Sequence, residues 1–576
     1  MIFNIKLILS CIYFHFKKKI NSYLTNSLNF YKNINLKNFL INKFLKKKIA
    51  CFKNEKFNDF VIKNSNFWKK QNIKIESSEN ILVEGFVNHQ GYALSNCVIA
   101  NYLKKIFKRK TIGLIKKNNH HGIKILESYN IDNIIIVEEP NIFERIKAAI
   151  ISIKIIGKNH NIDQILKLKY KKTDAGLSAY DSFIRYTGVP NLKKINSELF
   201  YFFTESVIAC DKFDEIIKKN NIKFCVQAET SFLPLNSLFQ ICLSKKIKVF
   251  SRLGVDKLAL RVYKNFNERY DYRDIISKKL FKYIYNKEKK KLIKKYNLIQ
   301  NKKIKSGSFG IDLKVISKKI NKPIVTKKYI NELFEWDNKK IGVIFLHHLI
   351  DRNFHNGPRK YFNDNYSWAN FVLDQLENTK DYNWIIKHHP TEQYYKSKSN
   401  LNQKINFLTN KYKHIKLFPN NISQISLLKI TDLCVTSHGS ATLEYIANGI
   451  PSLFIENSYY SHMNFAKRFR TTKKKITNFN ILKKINIPNQ NEIDEAKTFI
   501  YIKSEYLKSK SLLIPGHDIA RDFDEDKFWK ESINLLKEYK FEKDELFKMI
   551  SIQHKQNLRH TVNNNKFKII DKLYND

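Results

Sequence analysis

Residues Ile430 to Glu456 read ITDLCVTSHGSATLEYIANGIPSLFIE, an apolar run that stops at a small polar turn and restarts as a helix. The run Leu433-Cys434-Val435 is too short for a helix, and Thr436-Ser437-His438-Gly439-Ser440 is a cluster typical of a turn. Beyond it Leu443, Ile446 and Ala447 recur at helical spacing, Ser440 is placed to cap the helix, and Asn448-Gly449 before Pro451 ends it. PSLFIE is then the next strand. Strand, glycine turn, helix and strand make a βαβ unit, whose turn offers backbone N–H groups and a partial positive charge to a phosphate. The plainer alternative is that Ser440 only caps and Gly439 only turns. Glu444 stands four residues after Ser440 rather than the three of a capping box, which leaves its carboxylate for ribose or sugar hydroxyls.

Working outward, the alternation of strands and helices recurs along the chain. NILVEGFV (Asn80 to Val87) breaks at Asn88-His89-Gln90-Gly91 before a helical stretch to about Lys108. TIGLI, NIIIVEE, KFCVQAE and KVFSRLG continue the pattern to Gly254, with helical segments between them. A Lys-rich stretch from about Lys278 to Lys305 interrupts it and reads as a solvated helix and linker. The alternation restarts with KIGVIFLHH (Lys340 to His348), a helix around Trp368 to Asn378, NWIIKHHP (Asn383 to Pro390), HIKLF and the opening unit. Two α/β halves with mostly parallel sheets follow, and ligands of such sheets bind outside the C-terminal ends of the strands. The expected division is a basic N-terminal extension over 1–74, a Rossmann-like acceptor domain over 75–277, a Lys-rich linker over 278–330, a Rossmann-like donor domain over 331–500, and C-terminal helices over 501–576.

The chain has 576 residues, 43% of them hydrophobic and 13% aromatic, which excludes a disordered protein and allows two or three full cores. Its 104 Lys and Arg against 53 Asp and Glu give a net charge of +51. The lysines are spread evenly among Asn, Ile, Tyr and Phe, as an AT-rich coding sequence would produce, and no nucleic-acid-binding signature accompanies them, so nucleic acid is not an expected partner. The seven cysteines form no CxxC pair and read as reduced core residues of a cytoplasmic protein. The N-terminal IKLILSCIYFHFKKK is too short to span a bilayer. Its apolar stretch closed by Lys17-Lys18-Lys19 suits either an ordinary first helix or a segment lying on an anionic inner membrane face.

Three strand ends of the second half carry polar groups that a scaffold does not require. His347, Asp351 and His355 follow one strand at spacings of four; the loop context lacks the helix of a zinc site, so no metal and no other cofactor is expected. Lys387, His388, His389 and Pro390 end the next strand, and the turn Thr436 to Ser440 ends a third. Three such ends on one sheet point to an anionic, nucleotide-like ligand bound by His347, Lys387, His389, Pro390, Thr436, Ser437, His438, Gly439, Ser440 and Glu444.

HHLIDRNFH, YSWANFVLDQLE, WIIKHHPTE and DLCVTSHGSATLEYIANGIPSLF together resemble the surface and capsular polysaccharide biosynthesis proteins, a GT-B-type glycosyltransferase group. ILVEGFVNHQGYALSNCVIANYL and AGLSAYDSFIRYTG, with the pattern G-x-x-x-Y-D-x-x-x-R, extend the likeness into the first half, so that it spans roughly residues 75 to 460. The His-Pro strand end beside a Ser/Thr turn is similar to the CMP-binding parts of sialyl- and Kdo-transferases and, more loosely, to CDP-glycerol phosphotransferases. Here His438-Gly439-Ser440 stands where Arg-Gly-Thr is expected and His388 where a proline is, which keeps the hydroxyl and forgoes a permanent charge.

The resemblance implies two Rossmann-type domains facing a central cleft, a nucleotide-sugar donor and a glycan or glycolipid acceptor, without a metal. The rival readings are a nucleotide-sugar epimerase on the same architecture and a non-catalytic glycan-binding assembly factor. For the base that deprotonates the acceptor, Glu84 and His89 lead, ahead of Asp174, Asp181 and Glu229 in the first half, with Asp351 and His355 next.

Overall fold

The computed structural model describes residues 7–9, 12–14, 54–87, 89–254, 257–272, 275–305, 322–390, 392, 397–477, 479, 482, 485, 487–515, 525–555, 557 and 559–560. The Lys17-Lys18-Lys19 triplet and Asn88 lie outside the described residues. The chain divides into two compact units, one of residues 1–182, 194–269 and 507–568, the other of 183–193, 270–506 and 569–576.

The first unit is built on a seven-stranded sheet in the order β12-β6-β5-β4-β1-β2-β3. Its strands are β1 (Ser77–Glu84), β2 (Arg109–Lys116), β3 (Asn133–Val137), β4 (Ile222–Val226), β5 (Lys248–Leu253), β6 (Lys257–Tyr263) and β12 (Ser509–Lys510). The stretch β3-β2-β1-β4-β5 is parallel throughout, while β6 and β12 add antiparallel. Consecutive parallel strands need a crossover, and the helices that supply it cover both faces of the sheet.

On one face the helix Gln90–Phe107 buries Leu94, Cys97, Val98 and Leu103 beside Ile81 and Val83 of β1. On the other, Phe213 and Leu238, from helices Ser197–Lys219 and Leu235–Ser244, pack on Leu82 and Cys225. The first face also takes the helix Glu55–Lys70, which the sequence reading leaves in a basic extension. Its Phe57 and Phe60 each lie 4.8 Å from the ring of Trp529, on helix Glu525–Lys537. Burying large rings of this kind stabilises by about 1.5–3 kcal/mol each, so segments from both ends of the chain complete this core.

The second unit carries a five-stranded, wholly parallel sheet in the order β11-β10-β7-β8-β9. Its strands are β7 (Lys340–Phe345), β8 (Tyr382–Lys387), β9 (Ile415–Leu417), β10 (Leu433–Thr436) and β11 (Ser452–Phe454). Gly342 of β7 lies under the Trp384 ring of β8; a Cβ there would come within 2.3 Å of it, so only glycine fits. The stretch Lys278–Lys305 is a helix, as its sequence suggests, 28 residues long, but the expectation that it is solvated is corrected: Leu280, Phe281, Ile284, Leu292 and Tyr296 are buried. The lysines from Lys278 to Lys295 occupy the other faces, and local charge hides the apolar stripe that binds the helix to the unit.

Among the described residues no helix is long and apolar enough to cross a membrane. The five described cysteines, at 97, 210, 225, 242 and 434, are all buried and free.

Candidate functional site

In both units the parallel strands run in the order third, second, first, fourth, fifth, so the chain reverses direction across the sheet between the first and the fourth strand. At that reversal the loops leave in opposite directions and open a crevice. In the second unit the reversal falls between β7 and β10, where Phe345 is level with Thr436 on one side and with Lys387 of β8 on the other. Pairing in register therefore brings the ends of β7, β8 and β10 together as three neighbours.

The turn after β10 is held closed by its own side chains. Thr436 Oγ1 accepts the N–H of Gly439 at 3.3 Å and lies 3.0 Å from His347 Nε2, which also accepts the N–H of His438 at 3.2 Å. Nε2 is thus an acceptor and the His347 proton sits on Nδ1. The His347 and His438 rings stack at 4.0 Å between centroids, and His355 meets His438 at 5.4 Å. His355 donates from Nδ1 to the Arg352 carbonyl at 2.6 Å, with Asn356 Nδ2 at 3.0 Å from its other nitrogen. Gly439 has no room for a side chain, since a Cβ would lie 2.9 Å from Thr436 Oγ1 and 3.3 Å from the His347 ring.

Burial disfavours the charged form of these rings. It holds His347 and His438 well below the usual histidine range, Arg359 adding to the effect on both, and brings His355 and His389 to about 4. The same cause lowers Lys387 to about 8, with Lys322 nearby adding repulsion. Lys387 Nζ donates to the His388 carbonyl at 2.9 Å.

The residue that sequence reasoning missed is Arg359. Its guanidinium donates to Ser437 Oγ at 2.7 Å and to Asn365 Oδ1 at 2.6 Å. It puts a permanent positive charge beside the turn, from a different loop. Glu456, also missed, holds that loop by accepting the N–H groups of Lys360, Tyr361 and Phe362 at 2.7, 2.9 and 3.1 Å. Tyr460 braces the turn from the other side, donating to the Gly439 carbonyl at 2.7 Å, and Ser458 donates to the His438 carbonyl at 2.8 Å.

The remaining expected residues fall around this group. Asp351 is 3.3 Å from Arg185, the arginine of the G-x-x-x-Y-D-x-x-x-R segment, and its charge acts on His355 and His389. Pro390 is half-buried after β8. Ser440 corrects one expectation: it occupies the N-cap position of Ala441–Ala447 but makes no side-chain cap, because its φ of −62° and ψ of −19° are already helical. Its side chain is exposed. Glu444 is half-buried, and its charge adds to burial in raising the pKa of Tyr296 on the helix Lys278–Lys305. Among the described residues no three His, Cys, Asp or Glu side chains are grouped to hold a metal ion.

In the first unit the corresponding reversal lies between β1 and β4. Glu84 ends β1 and is 1% exposed. Its Oε1 accepts the N–H groups of Phe86 and Val87 at 2.6 and 3.1 Å, its Oε2 the side chain of Asn96 at 3.2 Å, and it also accepts from the backbone of Ala228 beyond β4. Burial outweighs these donors and raises its pKa to about 7. His89 precedes the helix Gln90–Phe107 and meets the Tyr92 ring edge-on at 5.5 Å. Glu229 accepts the N–H groups of Thr230 and Ser231, both at 2.8 Å, Asp174 pairs with Arg269 at 2.5 Å, and Asp181 is buried.

No protein-family profile matches the chain, and no curated protein matches it. Among solved structures it is similar to the β-Kdo 2,4-transferase of Thermosulfurimonas dismutans KpsC, at 10% identity over 48% of this chain and 79% of that one, with a TM-score of 0.26. It is also similar to a glycosyltransferase from Rickettsia africae, at 13% identity over 74% and 93% of the two chains and a TM-score of 0.25. A third is the UDP-GlcNAc 2-epimerase of Neisseria meningitidis bound to UDP-GlcNAc, at 12% identity over 73% and 98%, with a TM-score of 0.25.

Proposed function

We propose that this protein is a metal-independent, GT-B-type glycosyltransferase that moves a sugar from a nucleotide-activated donor, CMP- or CDP-linked, to a surface or capsular glycan or glycolipid. The observation that carries this reading is Arg359 on Ser437, at the reversal of a parallel sheet, beside imidazoles that burial keeps neutral. A fixed guanidinium with neutral donors around it suits a phosphate that gains charge as the sugar leaves. In the reaction the bond from the sugar's anomeric carbon to the phosphate oxygen breaks and a bond to the acceptor oxygen forms. Arg359, Lys387 and the turn take up the charge on the departing nucleotide. The acceptor's proton goes to a base, for which we propose His89, with Glu84 as the positioning residue that fixes the loop before it; Asp351 and His355 are the alternatives. The reading places the enzyme in the cytoplasm, peripheral on the inner membrane face through Ile2 to Lys19.

Incubating the purified protein with CMP-, CDP-, UDP- and GDP-sugars tests this by following nucleotide release with and without glycan acceptor. Release that depends on acceptor is the expected result. An isomerised donor formed with no acceptor present identifies an epimerase instead, and polymer binding with every donor intact identifies an assembly factor.

A further inference from the structure

The helix Ile142–Ile156 of the first unit turns two faces to very different surroundings. Arg145, Ala148, Ala149, Ser152 and Ile156 are buried, and Arg145 pairs with Glu205 of the helix Ser197–Lys219. Opposite them, Phe143, Lys147, Ile150 and Lys154 follow one another at helical spacings of four, three and four, so they form a single stripe. Phe143 is 79% exposed and Ile150 43%. Isolated apolar side chains are ordinary on a surface, whereas a phenylalanine and an isoleucine alternating with lysines along one stripe are the arrangement of an interfacial helix.

A second segment lies beside the first. Phe14 is 6.4 Å from the ring of Tyr201 on the helix Ser197–Lys219, and Arg145 lies 5.8 Å over that same ring. Next to Phe14 in sequence, Tyr13 is 59% exposed, and Leu9 is 60% exposed. The two segments thus share a neighbour and both offer apolar side chains outward.

The charge of this surface is one-sided. The nearby acids are engaged: Glu138 with Lys117 at 2.7 Å, Glu139 with Arg145 at 3.8 Å, and Glu144 with Lys212 at 3.8 Å as well as in the capping box of Asn141. Lys147, Lys154 and Lys158 are exposed and form no ion pair among the described residues. We infer that the stripe Phe143-Lys147-Ile150-Lys154, together with Leu9 and Tyr13, is a docking surface for an anionic lipid bilayer. The apolar rings enter the acyl boundary and the lysines meet the headgroups, each supplying one of the two terms that peripheral attachment requires. None of Leu9, Tyr13, Phe143, Lys147, Ile150 and Lys154 is assigned to donor or acceptor chemistry, so the inference stands or falls independently of the proposed reaction.

Sedimentation of the full chain with phosphatidylcholine vesicles, with and without phosphatidylglycerol, tests it. The parent is expected to bind only the vesicles that contain phosphatidylglycerol. The double variant Phe143→Ser, Ile150→Ser should lose about tenfold or more of that binding while melting at the parent's temperature. The double variant Lys147→Glu, Lys154→Glu should lose it as well, and high salt should weaken the parent. Parent-like binding by both variants overturns the inference, including the case in which deletion of residues 2–19 alone abolishes binding. A parent that sediments as a dimer and becomes monomeric on Phe143→Ser overturns it too, because the occupant of the stripe is then a second copy of the chain.

Discussion

The reversal points of the two sheets have the same strand order and opposite chemistry. Between β1 and β4 a single carboxylate, Glu84, is turned inward and takes N–H groups from both loops. Between β7 and β10 the turn is held from behind by Tyr460 and Ser458, its neighbouring loop by Glu456, and Ser440 stays exposed. Topology brings polar groups to a crevice in both cases. Whether those groups serve the loop or a ligand depends on which other atoms satisfy the loop.

The first way to break this comparison is by pH. Glu84 has a pKa raised from 4.5 to about 7 in the fold, so its contribution to stability is complete below about 4.5 and is lost as pH rises through 7. The difference amounts to about 3 kcal/mol, and Glu84→Gln should abolish it in chemical denaturation curves taken across that range. The imidazoles of the second unit have the opposite slope. With folded values lowered to about 4 for His355 and His389, they contribute stability above 6.5 that drains away as pH falls toward 4. A flat Gln-minus-parent difference from pH 4.5 to 7 would remove Glu84 as the distinguishing feature of the first reversal.

Catalysis gives the next largest effect. His89→Ala should lower turnover about 100-fold under saturating donor, the usual cost of a missing base, while leaving donor affinity unchanged. Transfer at the parent rate moves the base to Asp351 or His355. Arg359→Ala should weaken donor binding by about 1.5–3 kcal/mol in calorimetry, because a charge-assisted contact is lost, and Arg359→Lys should recover only part of it. Equal affinity in all three proteins would mean that the guanidinium serves only to hold Ser437. Ser440→Ala is the mildest change, about 1 kcal/mol in donor affinity with no change in melting temperature, since its hydroxyl caps nothing.

All ten parallel strands are legible in the sequence, because each is an apolar run ended by a polar break, and most are followed by helical spacing. The antiparallel strands β6 and β12 are not, since KLALRVY directly follows another strand and Ser509–Lys510 is too short to carry a pattern. In the site, the turn from Thr436 to Ser440 is readable because its residues are adjacent. Arg359 is not, because it reaches Ser437 across 78 residues from a loop without periodicity. Glu456 reads as the end of a strand for the same reason: its three backbone partners lie 94 to 96 residues away.

The placement of Trp529 against Phe57 and Phe60 bears on how this chain comes off the ribosome. The first unit contains residues 507–568, so its core cannot close until residues 270–506 of the second unit have been synthesised. During that interval Phe57 and Phe60 lack the Trp529 ring and Trp68 lacks Phe541, and such uncovered apolar surface is the condition under which nascent chains recruit chaperones or aggregate. A gene fragment that stops after residue 277 encodes every strand of this sheet except β12 and should still yield insoluble protein, whereas the same fragment fused through a short linker to residues 507–568 should fold.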